Sequence, residues 1–192
     1  MWTIVLLLSL LMALIAGRYL TLNPEVYFPQ QKTVYMANSL MLVLHVAGSM
    51  LATLTGPFQF LRRSRTGRWL GVHRWSGRVY LAGVLIGGMA GLYMATLAHG
   101  GPYARLGFGA LAVLWLYTGW MAYARARAHD IDSHRDWMIR NFALTFAAVT
   151  LRLWQIVFQS VGLEFDTGYV MVAWLSWIPN LLVAAWIIRR GA

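Results

Sequence analysis

The chain has 192 residues, of which 59% are hydrophobic and 11% are charged, with a formal net charge of +10 at pH 7. This balance excludes a soluble globular domain and a disordered chain, and it predicts an integral membrane protein. The absence of cysteine excludes disulfides, thiolate catalysis and iron–sulfur clusters. Nucleic acid is not an expected partner, because the arginines fall in short loops between apolar segments, where they contact lipid headgroups.

Six apolar segments are long enough to cross a bilayer, which requires about 20 residues at about 1.5 Å each. Turn-forming sequences that contain proline or glycine, such as Asn23-Pro24 and Gly100-Gly101-Pro102, lie between these segments. The N-terminal segment lacks a basic n-region, which indicates a retained helix rather than a signal peptide. We expect an all-α bundle of six transmembrane helices in one domain, residues 1–192, with helices at about 2–20, 34–61, 74–98, 103–125, 136–160 and 168–188.

Basic residues concentrate at one end of the predicted bundle. They lie after the second helix, after the fourth helix and at the C-terminus: Arg62, Arg63, Arg65, Arg68, Arg74, Arg78, Arg125, Arg127, Arg135, Arg140, Arg189 and Arg190. The other end has only Arg18, Lys32 and Arg105. Short loops rich in arginine stay in the cytoplasm, so both termini are expected there.

The chain contains an internal repeat. The motif His73-Arg-Trp-Ser-Gly-Arg78 at the start of the third helix is similar to His134-Arg-Asp-Trp-Met-Ile-Arg140 at the start of the fifth. This match predicts two repeated hairpins, helices 2 with 3 and 4 with 5, related by an axis along the membrane normal. They would form a four-helix core flanked by helices 1 and 6. The spacing Gly83-x-x-x-Gly87-x-x-x-Gly91 on the third helix predicts a close approach of two backbones.

The fifth helix carries a polar stripe. At about 100° per residue, five polar side chains fall on the same side as His134: Asn141, Thr145, Arg152, Gln155 and Gln159. An arginine at membrane depth costs at least about 2.5 kcal/mol, so Arg152 should face protein or water. It would bind an anionic ligand group or a quinone oxygen. The alternatives are an internal structural partner, which would be a helix carbonyl, an Asn or Gln side chain, Glu164 or Asp166, and a snorkel to the headgroups.

A second stripe of polar or small residues follows the second helix: Asn38, His45, Ser49, Thr53, Gly56 and Gln59. His45 lies near the middle of the membrane. It is either a structural histidine bonded to a neighbouring helix, or a haem ligand, proton carrier or quinone partner.

The two repeat motifs place His73 and His134 at equal depth. Equal depth suits a haem held by two histidines or two matched ligands for a metal, and the alternative is a pair of interfacial anchors. Arg78 and Arg140, about one turn deeper, would hold a lipid phosphate or an acidic group of a cofactor.

One further cluster has metal-ligand residue types: His129, Asp130, Asp132, His134 and Asp136. It lies in and beside a short polar loop between two helices. We interpret it as solvated charge with helix capping by Asp132 or Ser133, so no metal site is predicted.

Three strings resemble those of a bacterial family of predicted multi-pass membrane proteins, domain of unknown function 2306 (DUF2306). They are Gly56-Pro-Phe-Gln-Phe60, the motif that begins at His73, and residues 134–152, and the likeness runs from His45 to Trp154. The resemblance implies a bacterial inner membrane and says little about activity. The four-helix core also resembles cytochromes of the b561 type, which implies paired haem-binding histidines, although the fourth helix here has none.

Three functions remain open from the sequence. The first is a small redox protein or redox-complex subunit that binds haem b or quinone in the core formed by helices 2 to 5. The second is a transporter or lipid-handling protein with Arg152 as its anion contact, and the third is a non-catalytic accessory subunit of a membrane complex. Expected partners are membrane lipid and other subunits, and no catalytic residue is identified. The candidate cofactor-binding residues are His45, His73, His134, Arg78, Arg140, Asn141 and Arg152.

Overall fold

The computed structural model describes residues 2–61 and 66–191, and these residues form helices and connecting turns without a strand. Among them, six segments are long and apolar enough to cross a membrane. These spans are Thr3–Thr21, Ser39–Phe60, Gly67–Thr96, Gly101–Arg127, Ile131–Ser160 and Phe165–Arg189. The predicted all-α bundle of six membrane-spanning helices is therefore confirmed.

Nine α-helices build the described part of the bundle. They are α1 Trp2–Gly17, α2 Lys32–Ala37, α3 Ser39–Thr55, α4 Leu70–Thr96, α5 Gly101–Arg127, α6 Ile131–Thr145, α7 Ala147–Ser160, α8 Phe165–Leu175 and α9 Ile178–Arg189. Short 3-10 turns occupy Arg18–Thr21, Pro24–Val26, Pro29–Gln31, Pro57–Phe60 and Gly67–Trp69.

The second span is shorter than predicted. The single helix expected over 34–61 is wrong, because α2 and α3 are separate helices divided at Asn38. The Asn38 side chain donates from Nδ2 to the carbonyl of Val34 at 2.9 Å, which gives this carbonyl near the end of α2 a hydrogen-bond partner. Pro57 lacks an N–H and follows the end of α3 at Thr55, so the chain continues as a 3-10 turn. The consequence is that α2 lies outside the spans, next to the bundle's end.

The fifth and sixth spans are both interrupted. The predicted break in the sixth span is confirmed, because α8 ends at Leu175 and α9 begins at Ile178, with Pro179 in its first turn. The fifth was predicted as one helix over 136–160, but it begins at Ile131 and divides at Phe146. The two breaks lie side by side, since Asn180 Nδ2 donates to the Thr150 hydroxyl at 3.0 Å and that hydroxyl donates to the Ser176 carbonyl at 2.5 Å.

Glycines bring α3 and α4 into direct backbone contact, as the spacing on the third span predicts. A methyl group on Gly48 would lie 2.7 Å from the Cα of Gly87, and one on Gly83 would lie 2.6 Å from the Gly48 carbonyl oxygen. Alanine at these positions would overlap the facing backbone, so only glycine allows this approach. Around this hairpin, α1 packs on α3, α8 on α5 and α7, and α9 on α6. The first and sixth spans thus flank a core of four, as predicted.

The two ends of the bundle differ in charge. One end, called here the arginine-rich face, carries Arg68, Arg125, Arg127, Arg189 and Arg190, while Arg62, Arg63 and Arg65 lie outside the described residues. The opposite face holds residues 18–31, called here the N-terminal loop. Tyr19 and Tyr27 of this loop stack at 5.5 Å between ring centroids, and Tyr27 meets Tyr35 edge-on at 5.5 Å. This aromatic cluster fixes the loop against the bundle.

Candidate functional site

A cavity of about 260 Å³ lies in the half of the bundle nearer the opposite face. Its wall is mostly apolar, and polar groups from the second, fourth, fifth and sixth spans and from the N-terminal loop project into it. The polar and aromatic lining residues are Tyr19, Phe28, Gln31, Tyr35, His45, Ser49, Thr53, Trp115, Thr145, Arg152, Gln155 and Tyr169. An apolar chamber with a few converging polar groups is the usual form of a small-molecule site.

His45 contributes a free acceptor nitrogen to this cavity. Its Nδ1 lies 2.8 Å from the carbonyl oxygen of Gly87 on α4. A carbonyl only accepts, so Nδ1 carries the proton, and Nε2 of the neutral ring keeps its lone pair. Gly91 provides the space, because a methyl group there would lie 2.6 Å from Nδ1. His45 is therefore bonded to the neighbouring helix, as its structural interpretation predicts, and is also oriented to accept a proton or a hydrogen bond.

Arg152 faces the cavity from α7. Its Nη1 donates to Gln155 Oε1 at 2.7 Å, and its guanidinium carbon lies 5.1 Å from the centre of the Phe28 ring in the N-terminal loop. Within residues 2–61 and 66–191, no carboxylate forms an ion pair with Arg152. Asp166, one candidate partner, pairs instead with His99 at 2.8 Å. The guanidinium is held by neutral groups and keeps unused donors on the cavity side.

Two residues close the cavity toward the opposite face. Gln31 donates from Nε2 to the hydroxyl of Tyr169 at 3.2 Å. Its Oε1 is buried and has no hydrogen-bond partner among the described residues. A buried acceptor without a partner is costly, which favours a donor from a ligand or an ordered water at this position.

The floor of the cavity is a continuous hydrogen-bond network. Trp115 Nε1 donates to the Thr145 hydroxyl at 2.9 Å, and this hydroxyl lies 2.8 Å from the Tyr80 hydroxyl. Tyr80 in turn donates to Asn141 Oδ1 at 2.5 Å. Asn141 uses both amide protons, one to the Trp115 carbonyl at 2.7 Å and one to the Thr118 hydroxyl at 2.8 Å. Asn141 thus has every polar atom engaged below the cavity, and it does not line the wall.

The other candidate residues lie toward the arginine-rich face and do not line the cavity. His134 bonds through Nδ1 to the Ala122 carbonyl at 2.8 Å. Arg78 stacks on Trp75 at 4.8 Å, and Arg140 stacks on Trp137 at 4.9 Å. Neither His73 nor His134 lines this cavity, and a haem between them stays a prediction. The equivalent arginine–tryptophan stacks have the form of interfacial anchors.

The polar loop before the fifth span contains a helix cap. Asp130 Oδ1 accepts the backbone N–H of Ser133 at 3.1 Å, so Asp130 caps α6 and the expected cap at Asp132 or Ser133 is wrong. The hydrogen bonds from Ser133, helped by Arg125, hold the pKa of the Asp130 carboxyl below its ordinary value. A carboxylate placed this way satisfies a helix end, which accounts for Asp130 in this loop.

Several cavity residues have no signal in the sequence. Phe28, Gln31 and Tyr35 come from the N-terminal loop and α2, and Tyr169 comes from the sixth span. Only the prolines at 24 and 29 mark this loop, and they predict turns without predicting where the loop packs.

Comparison with known proteins identifies a family. The sequence model described as "Predicted membrane protein (DUF2306)" matches residues 41–188, which is more than half of the chain. No curated protein and no solved structure matches the chain. The match covers the second to sixth spans and leaves out the first span and the N-terminal loop.

Proposed function

This chain belongs to the DUF2306 family of predicted membrane proteins, and from that premise we propose that its cavity binds the head group of a membrane quinone. The observation that carries the proposal is the pairing of groups in one chamber. His45 offers an acceptor nitrogen, and Arg152 offers donors that no carboxylate neutralises among the described residues. The protein would act as a quinone-binding subunit or carrier within the membrane.

A quinone matches these groups in both of its redox states. The carbonyl oxygens of the oxidised ring accept hydrogen bonds, which Arg152 can donate. The hydroxyls of the reduced ring donate, and both His45 Nε2 and Gln31 Oε1 can accept. The volume of about 260 Å³ lies near the lower end of small-molecule pockets, about 300 Å³, and suits a single substituted ring.

The geometry of the cavity supports haem binding and transport across the membrane less well than it supports quinone binding. A haem with two axial histidines needs a second histidine opposite His45, and none is among the described lining residues. A transport path needs a continuation toward the arginine-rich face. There the floor is closed by Tyr80 and Asn141, whose side chains are fully buried and bonded to each other.

We also propose that the arginine-rich face lies in the cytoplasm of a bacterium and that the cavity lies in the outer half of the inner membrane. The support is the concentration of arginine in the short loops at one end. Quinones diffuse within the bilayer, so a cavity at this depth is accessible to them.

The test is direct binding of a short-tailed ubiquinone to purified protein in lipid nanodiscs, measured by isothermal titration calorimetry. The variant Ala148→Phe fills the cavity without removing a polar group, because Ala148 lines its wall. We expect this variant to raise the dissociation constant at least about tenfold. His45→Ala should also weaken binding, because it removes the acceptor nitrogen.

The matched control is Leu153→Phe on the same helix, where the side chain is 46% exposed at the bundle surface. Leu153→Phe should bind the quinone as the unchanged protein does. Equal affinities in the Ala148→Phe and Leu153→Phe proteins, or no heat of binding to the unchanged protein, would contradict the proposal.

A further inference from the structure

A second cavity of about 270 Å³ adjoins the first, between the end of α1 with the N-terminal loop on one side and α7 on the other. We call it the lateral groove. It shares four residues with the first cavity: Tyr19, Phe28, Arg152 and Gln155. The remaining lining residues are Ile15, Arg18, Val26, Ile156 and Gln159. Because the shared side chains border both spaces, the lateral groove lies directly beside the first cavity, and each space has further lining residues of its own.

The lateral groove is positively charged. Arg18 and Arg152 are its two ionised lining residues, and the described lining includes no carboxylate. Glu25 of the N-terminal loop is already paired with Lys32 at 2.7 Å, and within the described residues neither groove arginine forms an ion pair. Two unneutralised arginines at a membrane protein surface attract an anionic group.

The groove is polar along one line and apolar along its sides. The polar residues Arg152, Gln155 and Gln159 are spaced i, i+3 and i+7, so they share one face of α7. Gln159 lies beside the helix end at Ser160, and Arg18 follows α1 directly, so both sit at the depth of headgroups. Arg152 is about 10 Å deeper at about 1.5 Å per residue.

The side walls of the groove face the membrane. Ile15 is 37% exposed and Ile156 is 63% exposed, and both lie on spans that cross the bilayer. An acyl chain would pack against these two side chains, because both are apolar and exposed on segments that are long and apolar enough to cross a bilayer. A small soluble anion gains nothing from them.

We propose that the lateral groove binds an anionic phospholipid. The phosphate contacts Arg18 beside Gln159, and one acyl chain lies between Ile15 and Ile156. The groove thereby holds a structural lipid next to the quinone cavity, with Arg152 between the two ligands. Arg18 and Gln159, which would hold the phosphate, line only the lateral groove, so this site does not require a quinone in the first cavity.

The test is native mass spectrometry of the protein released from nanodiscs that contain equal amounts of phosphatidylglycerol and phosphatidylcholine. The unchanged protein should retain phosphatidylglycerol in preference to phosphatidylcholine. Arg18→Gln should lower the retained phosphatidylglycerol about fivefold, the effect of one basic residue near an anionic surface. Arg18→Lys should keep most of the binding, because it keeps the charge.

The control is Arg105→Gln. Arg105 lies on the same face of the bundle, donates from Nε to the Ala98 carbonyl at 3.3 Å, and lines neither cavity. This variant should retain the lipid normally. Equal losses in both variants, or equal retention of the two lipids, would overturn the proposal. Release of the bound lipid by excess inorganic phosphate would also overturn it, since the groove would then be a free-anion site. None of these results affects the Ala148→Phe test.

Discussion

Arg152 donates a hydrogen bond from Nη1 to Oε1 of Gln155 at 2.7 Å, one turn further along the same helix. This pairing positions the guanidinium without neutralising it, because an amide carries no charge. A carboxylate in the place of Gln155 would form an ion pair and occupy the donors. The protein thus keeps a positive charge with free donors at the boundary of two cavities.

Replacing Arg152 should change the affinity for quinone and the thermal stability of the protein in different ways. Arg152→Leu should leave the thermal midpoint unchanged or raise it, because a charge at membrane depth costs at least about 2.5 kcal/mol and the leucine removes that cost. The same variant should weaken short-tailed ubiquinone binding at least about tenfold. Thermal unfolding and calorimetry on one preparation measure both effects. A lower thermal midpoint together with unchanged quinone affinity would show that Arg152 serves the fold alone.

The contact between α3 and α4 predicts a large effect from a single methyl group. Gly48→Ala should lower the free energy of unfolding by about 1–3 kcal/mol, because the new methyl group overlaps the backbone of Gly87. Gly109→Ala on α5 is the matched control, since the added methyl group meets nothing within 4 Å beyond its chain neighbours and the adjacent backbone of its own helix. That change should be neutral or stabilising by up to about 1 kcal/mol. Denaturant titration in mild detergent compares them; equal losses would contradict the packing described here.

The hydrogen-bond network under the cavity predicts that removing one of its polar side chains lowers the free energy of unfolding. Asn141→Leu removes the hydrogen bonds to Tyr80, Trp115 and Thr118. At about 0.6 kcal/mol for each bond within a membrane protein, the expected destabilisation is about 2 kcal/mol. Asn38→Leu is the comparison, because Asn38 bonds Tyr93 at the exposed edge of the bundle. Denaturant titration should show the larger loss for Asn141→Leu, and a loss no larger than that of Asn38→Leu would contradict the greater stabilisation expected from the buried network.

Helical spacing identifies His45 and Arg152, two of the cavity residues that lie on regular helices. His45 and Arg152 repeat with polar neighbours at intervals of three, four and seven residues, and such neighbours share one side of a helix. The expected stripe on the fifth span is divided, however, because the helix breaks at Phe146. Asn141 lies in the buried network, while Arg152 and Gln155 border the cavity.

The depth of a residue in the membrane is easier to predict from sequence than the direction in which its side chain points around the helix. His73 and His134 occupy equivalent positions in the repeat, but equal depth does not fix the direction in which each side chain points. The residues of the N-terminal loop present the opposite difficulty. Gln31 and Phe28 lie in 3-10 turns or beside them, where no periodic pattern records which surface they cover. Their positions follow from long-range packing, such as the contact of Phe28 with Arg152 at 5.1 Å.

The orientation in the membrane is tested by cysteine labelling, which needs no prior substitution because the chain contains no cysteine. Ala128→Cys places a thiol in an exposed loop on the arginine-rich face, and Val161→Cys places one on the opposite face, where the side chain is 71% exposed. If short arginine-bearing loops remain inside the cell, a membrane-impermeant maleimide added to spheroplasts should label only Val161→Cys. Ala128→Cys should be labelled only after the membrane is permeabilised. The reverse pattern would place the cavity beside His45 and Arg152 in the cytoplasmic half of the bilayer, and equal labelling of both variants before permeabilisation would contradict a single orientation.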